Sequence, residues 1–292
     1  MKVANIIIAH KNPGQLLKLI NLFDKEQFHN FVHIDKQCNA NDFKEIATHP
    51  NVTLVKPSRK LVWAGYGFVA VTLDALKMIS AHKEKYFYTN LISGMDLPIK
   101  STSSFYHHLL NSYQSEKNEF FEILDLSVWP GAHRFEKYHL CDITIKGRYF
   151  TERIISNIIG KRTFYKGKLI PYGRSAWFTA TDDFIKYALH YFERNPDYLS
   201  FLKTTWSPDE FIFNTLIMNS HFRPNISHYL RYIDWSEKKV SPKVLTNNDV
   251  KTLLESNCFL ARKFDENIDA KAIDKIIKSI SPVKASNENL DW

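Results

Sequence analysis

Cysteine is scarce in this chain, and the three present (Cys38, Cys141 and Cys258) are far apart with no C-x-x-C pair. An odd, scattered set of that kind argues against a disulfide framework and against a cysteine-rich zinc site. Long apolar runs are missing as well. The N-terminal run Val3–Ala9 is too short to span a bilayer, and it reaches His10 and Lys11 without a small-residue cleavage site. No stretch offers eighteen consecutive apolar residues, so a soluble, cytoplasmic chain is expected, and reduced thiols fit that compartment. The D-x-D triplet is absent, as are H-E-x-x-H, a Walker loop and G-x-G-x-x-G. Gly65-Tyr66-Gly67 is too short a glycine pattern to cradle a phosphate. A nucleotide-dependent enzyme built on this sequence would therefore lack the usual carboxylate pair for a divalent metal.

What is present is ordinary for a globular protein. The 292 residues are 44% hydrophobic and 24% charged, which excludes collagen-like and disordered classes. There is no repeat, low-complexity segment or Pro/Ser linker, so one domain over residues 1–280 is expected, followed by a polar tail at 281–292. Thirty-nine Lys and Arg against thirty-one Asp and Glu leave a net charge of +8. That balance favours anionic partners: phosphates, nucleotides, nucleic acid or a membrane surface. Nucleic acid is the weakest of these, because single-strand binding needs aromatics interleaved with Lys and Arg on an exposed face. Here the aromatics lie mainly within apolar runs.

Along the first half, strand and helix signals alternate. Val3–Ala9, Phe31–Ile34, Val52–Val55 and Tyr86–Ile92 read as buried strands, and Gln15–Phe23 and Phe68–Ile79 as helices. This order predicts an α/β fold with a mixed, mostly parallel sheet and helices on both faces. Ligands of such sheets bind at the carboxyl ends of the strands, where His10, Asp35 and the Ser93–Asp96 turn fall. In the second half, Glu119–Leu124, Ala176–Thr181 and Phe259–Phe264 read as strands. Asp183–Glu193, Asp209–Asn219, Asn248–Glu255 and Ala270–Ile280 read as helices, and Lys161–Arg174 as a surface loop.

Two motifs carry competing readings. Ser207-Pro208-Asp209-Glu210 has the form of a capping box, with Ser at the N-cap and Glu three positions on. The same Glu210 at a helix start could act as a general base. Arg262 and Lys263 follow an apolar strand, where a basic pair can be a solvated edge or can neutralise a departing diphosphate. Strand alternation points the two to opposite faces, with one in a site and the other turned away. Trp63, Trp177, Trp206 and Trp235 are each able to stack on a sugar ring or to fill core.

Five segments then occur in one order: Ile34-Asp35-Lys36, Ser93-Gly94-Met95-Asp96-Leu97-Pro98-Ile99-Lys100, Ser175-Ala176-Trp177, Ser207-Pro208-Asp209-Glu210 and Phe259-Leu260-Ala261-Arg262-Lys263-Phe264. In order and spacing they resemble the core-2/I-branching β-1,6-N-acetylglucosaminyltransferase family, which also includes peptide O-xylosyltransferases, and the chain looks like a bacterial member. The resemblance runs from about Val3 to Phe264. It implies a glycosyltransferase-A-like, Rossmann-like fold and an inverting single displacement. It further implies a UDP-sugar donor (GlcNAc or xylose) and no metal or other cofactor. The acceptor would be a hydroxyl of a glycan or glycolipid, in surface polysaccharide synthesis, with peripheral membrane association. By position, Glu210 matches the family's base, Lys263 a diphosphate contact, Asp35 a uridine contact, and the turn with Ser93 and Asp96 part of the donor site. Arg134 and Lys137 match acceptor-binding basic residues, and Trp235, with Trp177, aromatic contacts. The family's Gly-Ser-x-Trp reads Arg174-Ser175-Ala176-Trp177 here, and a second phosphate ligand is either Lys243 or Arg174. An inactive nucleotide-sugar or glycan-binding protein of the same fold is the alternative.

Overall fold

The computed structural model describes residues 1–125, 131–143 and 146–281. The 282–292 part of the expected polar tail lies outside the described residues. The strands are β1 (Lys2–Ala9), β2 (Phe28–Ile34), β3 (Val52–Leu54), β4 (Tyr86–Ser93), β5 (Asp96–Pro98), β6 (Glu119–Asp125), β7 (Tyr172–Thr181), β8 (Ile226–Ser227), β9 (Arg231–Ile233) and β10 (Leu260–Arg262). Seven of them form one sheet in the order β3-β2-β1-β4-β7-β6-β8, and β5, β10 and β9 form a smaller one. Pairing is parallel from β3 through β4 and between β6 and β8, while β7 runs antiparallel to both of its neighbours. The expected mixed, mostly parallel sheet is therefore present.

Helices α1 (Pro13–Leu22), α2 (Lys44–Ala47), α3 (Gly67–Ala81), α4 (Thr102–Gln114), α5 (His133–Glu136) and α6 (Arg148–Ile159) belong to the first half and the centre. Helices α7 (Asp182–Arg194), α8 (Pro196–Leu202), α9 (Ile212–Met218), α10 (Val250–Glu255) and α11 (Glu266–Ile280) follow. Strand alternation divides the main sheet's side chains between two cores. Ile6 and Ile8 pack with α3, α7 and α9 on one face. Val3 and Ile7 pack with α1 and α4 on the other. A third cluster joins the small sheet to α10 and α11 through Leu97, Ala261, Phe264 and Ile273.

Helices α4 and α6 are additional to the elements expected from the sequence. The segment 161–174, expected as surface, instead buries Phe164 and Tyr165, and β7 already starts at Tyr172. Aromatic packing against Tyr198 and Phe201 draws this stretch inward.

A line of polar side chains crosses the buried sheet. Asn5 faces Asn30 on β2 and Asn90 on β4, and Asn90 faces Thr179 on β7. Their amides bond in sequence, Asn5 Nδ2 to Asn30 Oδ1 at 2.9 Å and Asn90 Nδ2 to Asn5 Oδ1 at 3.0 Å. Asn90 Oδ1 also accepts from Thr179 Oγ1 (2.9 Å) and from the buried Arg231 guanidinium, whose Nη2 further donates to the Phe178 carbonyl at 2.6 Å. Nε and Nη1 of this buried cation find no hydrogen-bond partner among the described residues, so its hydrogen bonding rests on Nη2, for which Asn90 is one of the acceptors. Asn90→Leu is thus expected to lower the unfolding free energy by about 3 kcal/mol in urea denaturation. A loss below about 1 kcal/mol would show that the line does not hold the sheet.

Candidate active site

The carboxyl ends of β2, β1 and β4 lie side by side, as the topology requires, and open into a cavity of about 930 Å³. Of the residues singled out from sequence, Asp35, Ser93, Arg134, Arg174, Trp177, Glu210, Trp235, Arg262 and Lys263 line it. Asp96, Lys137 and Lys243 do not. Asp96 is buried beneath the wall: its carboxylate accepts the Ser93 backbone N–H (3.1 Å), the Ser93 hydroxyl (2.8 Å) and Arg262 Nη1 (3.1 Å). From there it positions Ser93 and Arg262 at the wall. Lys243 is turned towards two carboxylates, Asp249 at 2.6 Å and Asp234 at 3.7 Å. Lys137 is exposed outside the cavity.

Both members of the basic pair face the cavity, contrary to the alternation argument. Strand β10 ends at Arg262, so the rule that alternates side chains lapses before Lys263. Arg262 lies over the Trp177 ring at 4.3 Å and is fixed by Asp96. Lys263 Nζ donates to Ser241 Oγ at 3.0 Å. Burial, then the charges of Arg262 and Lys11, hold the Lys263 ammonium below its ordinary pKa. His10, on the same wall, is lowered by burial and then by Lys11 and Lys263. Cations crowded this way repel one another, and a bound anion relieves the repulsion. Asp35 is committed in part to the loop above it, accepting the backbone N–H of Gln37 (2.8 Å) and of Leu61 (3.0 Å).

On the opposite side the capping box is not formed. Ser207 adopts a left-handed conformation (φ 47°) with no side-chain cap, residues Pro208–Glu210 make a 3₁₀ turn, and α9 begins only at Ile212. Long-range bonds override the local signal: the Ser207 backbone N–H donates to the Ala64 carbonyl at 2.8 Å, and the Trp206 N–H to the Arg134 carbonyl at 2.9 Å. Ala64 is left-handed too (φ 63°), so two non-glycine residues on this wall hold a backbone form that costs about 1–2 kcal/mol each. At Gly65 beside them a Cβ would stand 2.2 Å from Asp142 Oδ1, so a larger residue there would displace the carboxylate that accepts the Tyr66 backbone N–H.

Freed from its own backbone, the Glu210 carboxylate forms an ion pair with Arg134. Arg134 also lies over the Trp206 ring at 4.6 Å, and Trp63 meets Trp206 edge-on at 5.1 Å. Asn214 anchors the turn to β7, donating to the Glu210 carbonyl (3.2 Å) and the Ser175 carbonyl (3.1 Å). Burial pushes Glu210 above the usual carboxylate range, with Arg134 and Arg174 pulling it back. Asp209 is pushed up to about 7, by burial and then by Glu210. Arg174 Nε donates to Glu122 Oε1 at 3.3 Å and its guanidinium reaches the Trp235 ring at 6.0 Å.

The cavity wall also contains His10, Trp63, Glu122, His133, Trp206, Asp209 and Lys239. Of these, His10, Trp63 and Trp206 are also singled out from the sequence, and Trp63 is 66% exposed. Nothing local marks Glu122 or His133. Among the described residues, the one grouping of three His, Cys, Asp or Glu side chains close enough to share a metal ion is His29, His82 and Glu84, away from this cavity.

Comparison with known proteins adds the following. The family model for the Core-2/I-Branching enzyme matches residues 3–254. The N-acetyllactosaminide beta-1,6-N-acetylglucosaminyl-transferase of Mus musculus is 24% identical over 91% of this chain and 69% of its own length. The beta-1,3-galactosyl-O-glycosyl-glycoprotein beta-1,6-N-acetylglucosaminyltransferase 3 of Homo sapiens is 22% identical over 93% of this chain and 66% of that protein. The chain thus spans about two thirds of the length of these relatives. Among solved structures, mouse xyloside xylosyltransferase 1 in its apo form aligns with a TM-score of 0.39 at 10% identity, covering 89% of this chain and 97% of that one.

The Asp209 environment yields a pH test. Its folded pKa lies above the unfolded carboxylate value, so the folded state binds the proton more tightly. The resulting stabilisation is full below about pH 4 and is lost as the pH rises towards 7. Asp209→Asn should reduce the fall in melting temperature between pH 5 and pH 8, read by thermal denaturation. An unchanged fall would mean that Asp209 ionises freely.

Proposed function

The chain belongs to the core-2/I-branching enzyme family and is a glycosyltransferase, and we propose that it moves GlcNAc or xylose from a UDP donor to a hydroxyl of a glycan or glycolipid acceptor. The transfer is an inverting single displacement that needs no metal, and it serves surface polysaccharide synthesis. One observation carries this reading: a crowded cation pair, Arg262 and Lys263, shares a strand-end cavity with a carboxylate, Glu210, that its own helix does not occupy.

In this mechanism the uridine lies towards Asp35 and Ser93, and the diphosphate on Lys263 and Arg262. The acceptor oxygen attacks the anomeric carbon from the face opposite UDP while its proton passes to Glu210. The bond from the anomeric carbon to the β-phosphate oxygen breaks, and its electron pair stays on UDP, where the two cations meet the added charge. The raised affinity of Glu210 for a proton suits a base, because a carboxylate held too acidic removes a proton poorly. Arg134 keeps that carboxylate oriented, and Trp63, Trp206 and Trp235 offer faces on which acceptor sugars stack.

Three outcomes test this. Glu210→Gln keeps an oxygen for Arg134 but cannot take the proton, so transfer should fall by about 10²–10⁴-fold with UDP affinity and melting temperature unchanged. A variant retaining more than about a third of wild-type transfer would remove Glu210 from the mechanism, since general-base catalysis is worth roughly a hundredfold at least. Lys263→Ala and Arg262→Ala should each weaken UDP binding by about 1.5–3 kcal/mol in calorimetric titration, and two silent variants would leave the pair a mere strand edge. Transfer from UDP-GlcNAc or UDP-xylose should survive excess EDTA, and strict dependence on Mn²⁺ would contradict the role given to the two cations.

A further inference from the structure

Helix α6 is inside out. Towards the protein it presents polar groups: Glu152 Oε1 accepts the Leu140 backbone N–H (2.7 Å), Ser156 Oγ accepts that of Tyr138 (3.3 Å), and Arg148 Nη1 donates to the Cys141 carbonyl (3.2 Å). Away from it, Phe150, Ile154 and Ile158 recur every fourth residue and form one stripe, exposed by 68%, 41% and 80%. A surface helix of a globular protein ordinarily does the reverse. Charge is concentrated in the same place. Residues 143–170 contain seven Lys and Arg and one Glu. Arg148 pairs with Glu152, Lys161 with Glu136 and Lys168 with Asp197, and Arg162 bonds backbone carbonyls, which leaves Lys146, Arg153 and Lys166 as the exposed cations outside these contacts.

We propose that this face docks on an anionic lipid surface, with Phe150, Ile154 and Ile158 entering the headgroup–acyl boundary and Lys146, Arg153 and Lys166 lying over the headgroups. An apolar stripe flanked by exposed cations is the pattern of an interfacial helix. Charge decides against a second copy of the chain, because a symmetric contact would bring the exposed Lys146, Arg153 and Lys166 of both copies together. The position is also apt for an acceptor held in the bilayer. Helix α6 is anchored to residues 138–141, and Arg162 beyond it donates to the Phe135 and Lys137 carbonyls. The same stretch begins with His133 and Arg134 on the cavity wall. The docking rests on α6 and its charge, and not on the assigned activity.

The test is sedimentation of the full chain with phosphatidylcholine vesicles, with and without about 30% phosphatidylglycerol. Two variants accompany it, F150S/I154S/I158S and K146E/R153E/K166E, with circular dichroism and melting temperature as controls for folding. The wild type should bind the anionic vesicles, and each variant should lose at least about tenfold in partitioning at an unchanged melting temperature. Absence of wild-type binding would overturn the proposal, as would equal binding by all three proteins. So would light scattering that shows a wild-type dimer made monomeric by F150S/I154S/I158S, which would make the face a self-association surface.

Discussion

The cavity depends on the buried cation Arg231 and the polar line that receives it. Asn30, Asn5, Asn90 and Thr179 share one register across four strands, and Arg231 enters from β9 to close the line on Asn90 and the Phe178 carbonyl. A slip of one residue in any strand would break an amide pair and turn its apolar side chains to the wrong core. The same arginine fastens the small sheet to the large one. Strand β10 pairs with β9 and β5, so the placement of Arg262 against Asp96 follows from where Arg231 is held. Thus a polar network with no contact to the cavity determines where its cations stand.

The opposite wall is set by a second long-range constraint. Backbone bonds from Ser207 to Ala64 and from Trp206 to Arg134 bring three distant segments together. They displace the capping box and leave Glu210 to Arg134. Two left-handed, non-glycine residues occupy this junction, and strain of that kind persists only where surrounding bonds over-determine it. The carboxylate and the cations therefore face one cavity from elements that are remote in sequence.

Much of this was legible in the residues, and the limits have physical reasons. Largely apolar runs marked β1 and β4, interrupted by Asn5 in the one and by Thr89 and Asn90 in the other, as strands buried on both faces lack regular polar alternation. The carboxyl-end rule located His10, Asp35 and Ser93 from topology alone. Local reasoning failed where distant partners decided the outcome: Ser207 looked like a cap until Ala64 claimed its backbone. Arg262 looked turned away until the strand ended beneath it. Asp96 carries a motif position yet serves under the wall, and Lys243 is held by Asp249 and Asp234. Helix α6 carries a helical spacing in Phe150, Ile154 and Ile158, but that apolar stripe is the exposed face, so the pattern does not place the helix against the core. Glu122 and His133 had no signal, since nothing near them in sequence specifies a site.

The central claim is that Glu210, tuned by Arg134, accepts the acceptor's proton. The pH dependence of single-turnover transfer in wild type and Arg134→Gln tests it most directly. Arg134 pulls the Glu210 carboxyl down, so removing that charge favours its protonated form. The account predicts that the acidic limb of the profile moves to higher pH in Arg134→Gln, whatever happens to the maximal rate. An acidic limb that stays in place would contradict it.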